Sequence, residues 1–137
     1  MEDRKLEFIV LQDTYGVCRL DKDRTIPDWA KESEFFSITK TRSELSLVCS
    51  QQNIPEDITC EKGWRVLKVE GTLDFSLTGI LASISGTLAA EDISIFAIST
   101  YDTDYILVKE AALDRAVEAL RKAGHAVFTQ STEEGAG

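Results

Sequence analysis

Apolar positions in the second half of the chain fall into short unbroken runs and stripes of helical period. Trp64 to Glu70 mixes aromatic and branched residues with charges and stops at Gly71, the composition of a strand closed by a turn. Ile80, Leu81, Ile84 and Leu88 recur along one helix face and predict a helix ending near Asp92, with Ser76 or Thr78 as its N-cap. Ile93 to Ile98 and Tyr105 to Val108 are apolar runs too short for helices, so both read as interior strands joined by residues 99–104. Leu113, Val117 and Leu120 mark a second helix, with Glu110 near its start, Arg121 and Lys122 in its last turn and Gly124 just past it. His125 to Thr129 reads as a final strand.

The order strand, helix, strand, strand, helix, strand is the split βαβ arrangement called ferredoxin-like, an α+β fold whose two helices cover one face of an antiparallel sheet. The first half offers strands without matching helices. Leu6 to Leu11 and Tyr15 to Leu20 are predicted to pair around Gln12-Asp13-Thr14, and Phe35 to Lys40 with Glu44 to Cys49 around Thr41-Arg42-Ser43. Ile26 to Lys31, with Pro27 at a helix start, and Pro55 to Ile58 read as short helical turns. The expected organisation is a degenerate, strand-rich unit over residues 1–62, a complete unit over residues 63–130 and a flexible tail over residues 131–137. Units this small bury limited apolar surface, so a second sheet or a second chain is expected to supply more.

Composition narrows the function. Fifteen Lys and Arg against 24 Asp and Glu give a net charge of −9, which repels phosphate backbones and anionic membrane surfaces, so neither nucleic acid nor membrane is an expected partner. No apolar stretch approaches the ~20 residues of a spanning helix. The start Met1-Glu2-Asp3-Arg4 lacks the basic-then-apolar order of a secretory signal, and a cytoplasmic protein is expected. Cys18, Cys49 and Cys60 form no CxxC spacing, and with one histidine, His125, they offer no zinc set; they read as reduced, buried side chains. No nucleophile and base pair can be nominated around that single histidine, so no catalytic residue, metal or cofactor is expected. Ser83-Ile84-Ser85-Gly86 lacks the lysine of a phosphate loop and reads as a close-packing patch.

One binding site does emerge from spacing. The loop Asp74 to Gly79 runs into the first predicted helix, whose unpaired amides and positive dipole end suit a carboxylate; Gly79 leaves that approach open. Asp102 and Asp104, with nearby strand carbonyls, are acceptors for an ammonium group. Between Gly71 and Asp104 the chain has Asp74, Glu91, Asp92, Asp102 and Asp104 but no Lys or Arg, which disfavours a strongly anionic ligand and admits a zwitterion or a cationic amino acid.

These residues also carry a family resemblance. Phe75-Ser76-Leu77-Thr78-Gly79-Ile80, followed by the unbroken string from Ile93 through Ser99-Thr100-Tyr101-Asp102-Thr103-Asp104 to Val108, resembles the ACT domains of the CASTOR arginine sensors and their bacterial relatives. Phe35 to Thr41 running into Glu44 to Val48 resembles the hairpin of the same proteins' first ACT unit. The resemblance implies tandem ACT-like units that sense a free amino acid, arginine or another cationic or neutral one, and signal to a regulated protein that the sequence does not identify. It places the ligand between two ACT units. Residues matching Ser94 and Ile95 grip one side; those matching Gly79, Ile80, Thr100, Tyr101 and Asp104, with Thr78 just before them, hold the other. Those sensors carry four units per chain and this sequence resembles half of that, so a complete pocket is expected in a homodimer. The competing expectation is a ligand-free module for protein assembly.

Overall fold

The computed structural model describes residues 5–70 and 79–130. The strands are β1 (Glu7–Val10), β2 (Tyr15–Leu20), β3 (Ser37–Lys40), β4 (Leu45–Ser50), β5 (Cys60–Val69), β6 (Phe96–Ser99), β7 (Asp104–Lys109) and β8 (Ala126–Thr129); the helices are α1 (Ile80–Ala89) and α2 (Leu113–Lys122). They fall into two compact units: one comprises residues Asp13–Trp64, and the other takes the chain up to Gln12 and again from Arg65.

In the unit that contains the helices, both predicted apolar stripes face the core. α1 buries Ile80, Ile84 and Leu88, and α2 buries Ala116, Ala119 and Leu120. Beneath them lie Phe8, Val10, Leu67, Val69, Ile106, Val108 and Val127, one face of the sheet. The strands run in the order β6-β7-β5-β1-β8. This is the ferredoxin-like order with one strand inserted: β1 lies antiparallel to β5, Phe8 opposite Val69, and parallel to β8, Phe8 opposite Val127. The expected hairpin of Leu6 to Leu11 with Tyr15 to Leu20 therefore does not form. His125 helps to seat β1: its Nδ1 accepts the Leu6 amide at 3.0 Å, and its ring meets Phe8 edge-on, centroids 5.6 Å apart.

Both helices end through the same device. The His125 amide reaches back to the Leu120 carbonyl at 3.0 Å over Gly124, and the Ile93 amide to the Leu88 carbonyl at 3.1 Å over Asp92. Gly124 takes the left-handed backbone, φ 100°, without strain, whereas Asp92 holds φ 60° with a side chain attached. Asp92→Gly is accordingly expected to stabilise the protein by about 1 kcal/mol, read as a higher urea midpoint at unchanged m-value.

Two other sequence expectations shift here. α1 stops at Ala89, because the turn over Asp92 closes it. Ile93 to Ile95 stay outside the strand, and β6 pairs with β7 alone among the described residues, its side chains alternating between half-buried and exposed. It is an edge strand and not an interior one. Its sequence looks continuously apolar because Ile93 is buried and Ile95 packs against the core from the preceding coil.

The other unit follows the same sequence of elements with its helices reduced to single 3-10 turns. β2 is followed by a turn over Asp28–Lys31, then β3, β4, a turn over Gln51–Asn53 and the start of β5. Its strand order is β3-β4-β2-β5, antiparallel throughout, with Tyr15 to Leu20 aligned on Ser50 to Leu45. The predicted hairpin over residues 35–49 forms, and Pro27 directly precedes the first 3-10 turn. Pro55 to Ile58 is a hydrogen-bonded turn, with Ile58 N to Pro55 O at 3.3 Å. β5 begins at Cys60, four residues before the predicted start, because its first half completes this small sheet.

Tyr15, fully buried edge-on to Phe35, has its phenol pushed up to about 12 from 10.0, first by burial and then by the nearby carboxylates Asp13 and Glu34. A folded-state value above the unfolded one means that the neutral phenol gives its full stabilisation below pH 10 and loses it as pH rises from 10 towards 12. Tyr15→Phe should remove about 2 kcal/mol from the alkaline decline of unfolding free energy over that window, measured by urea titration at successive pH values.

Candidate functional site

The end of β5 organises the candidate site. Thr103, only 4% exposed, donates its hydroxyl to the Val69 carbonyl at 2.8 Å and so ties the β6–β7 turn to the last residue of β5. From there the chain runs on to Gly79 and α1. Because α1 leads from Gly79 back towards the start of β6, the topology sets its first turn at the same end of the unit as the β6–β7 turn.

Gly79 is the N-cap of α1 in the left-handed conformation, φ 78°, with open space where a Cβ would stand. It supplies no capping side chain, and its carbonyl accepts the Ser83 amide at 2.8 Å to begin the helix. A helix leaves its first amides without acceptors of its own, so the amides that open α1 are a donor set to which Gly79 contributes no capping side chain. Ile80 turns its side chain into the core, 8% exposed, and brings only backbone to this set. Thr78, named at the sequence level, lies outside the described residues, as do Ser76 and Asp74.

The turn itself is rigid. Thr100 binds Thr103 three times: amide to carbonyl at 2.8 Å, hydroxyl to carbonyl at 3.1 Å, and Thr103 amide to Thr100 hydroxyl at 3.2 Å. Beneath it Ser99 and Asp104 face each other across the hairpin, and the Ser99 hydroxyl donates to Asp104 Oδ1 at 2.6 Å. That bond fixes a half-buried carboxylate at the mouth of the turn, while Tyr101 projects from the tip, 83% exposed. Neither Thr103 nor Ser99 was among the residues the sequence singled out. A threonine between two aspartates looks like solvated loop, and only its burial distinguishes it.

The same threonine turn recurs in the smaller unit. Thr41 and Glu44 make the equivalent three bonds at 2.9, 3.4 and 3.1 Å. At the position of Asp104, however, stands Leu45, 2% exposed. The fold is duplicated and the carboxylate is not.

Gly79, Ile80, Thr100, Tyr101 and Asp104 thus share one end of the unit, whereas Ser94 and Ile95 precede β6 at the other. With a rise of ~3.3 Å per residue, Ile95 and Thr100 stand roughly 16 Å apart along the edge. Ser94 is exposed and Ile95 half-buried. A single copy does not bring the two groups together, and the edge strand between them is unpaired on its outer side among the described residues. Among those residues, no group of three His, Cys, Asp or Glu is arranged to hold a metal ion, and no helix is long and apolar enough to cross a membrane.

Comparison with known proteins bears on the family and the fold. A model described as an ACT domain matches residues 59–122, and one described as an N-terminal domain matches residues 13–57. The crystal structure of protein Atu0741 from Agrobacterium tumefaciens is 36% identical, with a TM-score of 0.89 over 94% of this chain and 96% of that one. The human protein named cytosolic arginine sensor for mTORC1 subunit 1 is 35% identical over 96 residues, 64% of this chain. The chain spans only 29% of that sensor's length. Aspartate kinase from Clostridium acetobutylicum shares the fold, at 15% identity and a TM-score of 0.62 over 82% of this chain and 33% of the kinase. The chain belongs to the ACT-domain proteins and is related both to Atu0741 and to the arginine sensors.

Proposed function

We propose that this protein is a non-catalytic regulatory module that binds a free amino acid between two copies of the chain. The observation that carries the reading is the division of the candidate residues between the two ends of one unpaired edge strand. Two β6 edges brought together antiparallel by a two-fold axis set the Ser94 and Ile95 end of one copy beside the Thr100 and Asp104 end of the other. The ligand's carboxylate then meets the amides at Gly79, Ile80 and the first turn of α1, and its ammonium group meets Asp104 and the backbone carbonyls at Ser94 and Ile95. A ligand that bridges subunits favours one dimer geometry over another, which is the means of informing a regulated protein.

The test is a titration of the folded protein with each of the twenty amino acids by calorimetry and thermal shift. At least one is expected to bind with one site per chain and to raise the melting temperature; silence from all twenty overturns the reading. The exposure of Tyr101, 83% on a rigid turn, favours a second reading in which this end only docks another protein. That reading expects Asp104→Ala to leave function intact.

A further inference from the structure

All three cysteines of the chain lie in the smaller unit, on the adjacent strands β4, β2 and β5, and their thiols converge. Cys18 shares S–H hydrogen bonds with both Cys49 and Cys60. Gly16, two residues before Cys18, leaves room for the Cys60 thiol and the Ile54 side chain: a Cβ there would stand 2.8 Å from Cys60 Sγ. Cys18 and Cys49 are 1% and 0% exposed, while Cys60 is half-buried.

Strand register separates the three pairings available. Cys18 lies directly opposite Cys60. The Arg19 amide bonds the Thr59 carbonyl at 3.0 Å, which makes the neighbouring Cys18–Cys60 position a non-hydrogen-bonded pair, with Cα atoms about 4.5 Å apart. That separation lies within the disulfide range of ~4.4–6.8 Å. Cys18 faces Leu47 on the other side, so Cys49 is its diagonal neighbour, at roughly 7–8 Å and beyond bridging distance. Cys49 and Cys60 have β2 between them and are two strand spacings apart.

We propose that Cys18 and Cys60 are a reversible thiol modification site, converted to a cross-strand disulfide by low-molecular-weight disulfides such as oxidised glutathione. The Cys60 thiolate attacks one glutathione sulfur, forming a mixed disulfide and releasing one glutathione thiol. The Cys18 sulfur then attacks Cys60 Sγ and releases the second, which takes up the proton that Cys18 loses. Two protein thiols are oxidised and one glutathione disulfide is reduced to two thiols. Burial pushes the Cys60 thiol up to about 11, so the first attack is slow at neutral pH and accelerates as pH rises. The bond closes the chain between residues 18 and 60 and should raise the melting temperature by several degrees.

The experiment incubates the full-length native protein with glutathione disulfide, alkylates the remaining thiols and maps the peptides by mass spectrometry. The expected result is one Cys18–Cys60 disulfide, with Cys49 alkylated and the bond reversed by dithiothreitol. Cys49→Ser should form the same bond, and Cys18→Ala should stop at a Cys60–glutathione adduct. A wild-type protein that stops at that adduct, a bond that includes Cys49, a bond between chains, or three thiols still open to alkylation would each overturn the proposal.

Discussion

Replacing Phe8 with alanine is expected to lower the unfolding free energy by about 3–5 kcal/mol. Phe8 is 0% exposed, sits opposite both Val69 and Val127, and packs edge-on to His125, so its ring fills the centre of the helix-bearing unit from a strand far away in sequence. Loss of the ring leaves a cavity under both helices. Urea unfolding gives the magnitude, and native-state hydrogen exchange gives the location: amides of α2 and β8 should lose protection together. A near-wild-type midpoint, or lost protection confined to β2, would mean that the N-terminal strand is not part of this core.

Asp104→Ala is expected to weaken amino-acid binding at least tenfold while changing stability by less than about 1 kcal/mol. A hydrogen bond to a charged group contributes ~1.5–3 kcal/mol, and about 1.4 kcal/mol is a factor of ten. The carboxylate is half-buried and, among the described residues, accepts from the exposed Ser99 hydroxyl at 2.6 Å, so the fold draws little from it. Calorimetry with the amino acid identified by titration reads the first quantity and urea unfolding the second. Unaltered affinity in a fully folded variant would remove Asp104 from the site.

The contrast between α2 and β1 explains which parts of the fold were legible in the sequence. α2 announces itself through contacts within its own length: a stripe at Leu113, Val117 and Leu120, basic residues in the last turn, and Gly124 at φ 100° where the helix stops. β1 is equally apolar, but its partners, β5 and β8, lie about 60 and 120 residues further on, and nothing local specifies them. A short polar link to Tyr15 suggested the nearer partner, and tertiary packing chose otherwise. β6 misled for a related reason: Ile93 and Ile95 are apolar to serve the core from a coil, not to line an interior strand.

For the site, charge and glycine placement pointed to Gly79, Asp102 and Asp104, and the family resemblance added Ile80, Ser94, Ile95, Thr100 and Tyr101. Gly79 has a physical reason beyond an open approach, since its φ of 78° strains any residue with a Cβ. Separation along the edge strand was not legible, because distance between Ile95 and Thr100 depends on the chain between them being extended. The buried Thr103 anchor was also hidden, because its acceptor is the carbonyl of Val69, 34 residues earlier.

A mixing experiment tests the shared site most directly. Asp104→Ala disables one side of the pocket and Ser94→Trp, at an exposed position, blocks the other. If two copies build each site, neither variant alone has wild-type-affinity sites, but an equimolar mixture with free subunit exchange recovers about a quarter of them, because half the dimers are mixed and each has one intact pocket. Calorimetric stoichiometry reads that fraction. No recovery on mixing, with dimer exchange verified, would contradict a site assembled from two chains.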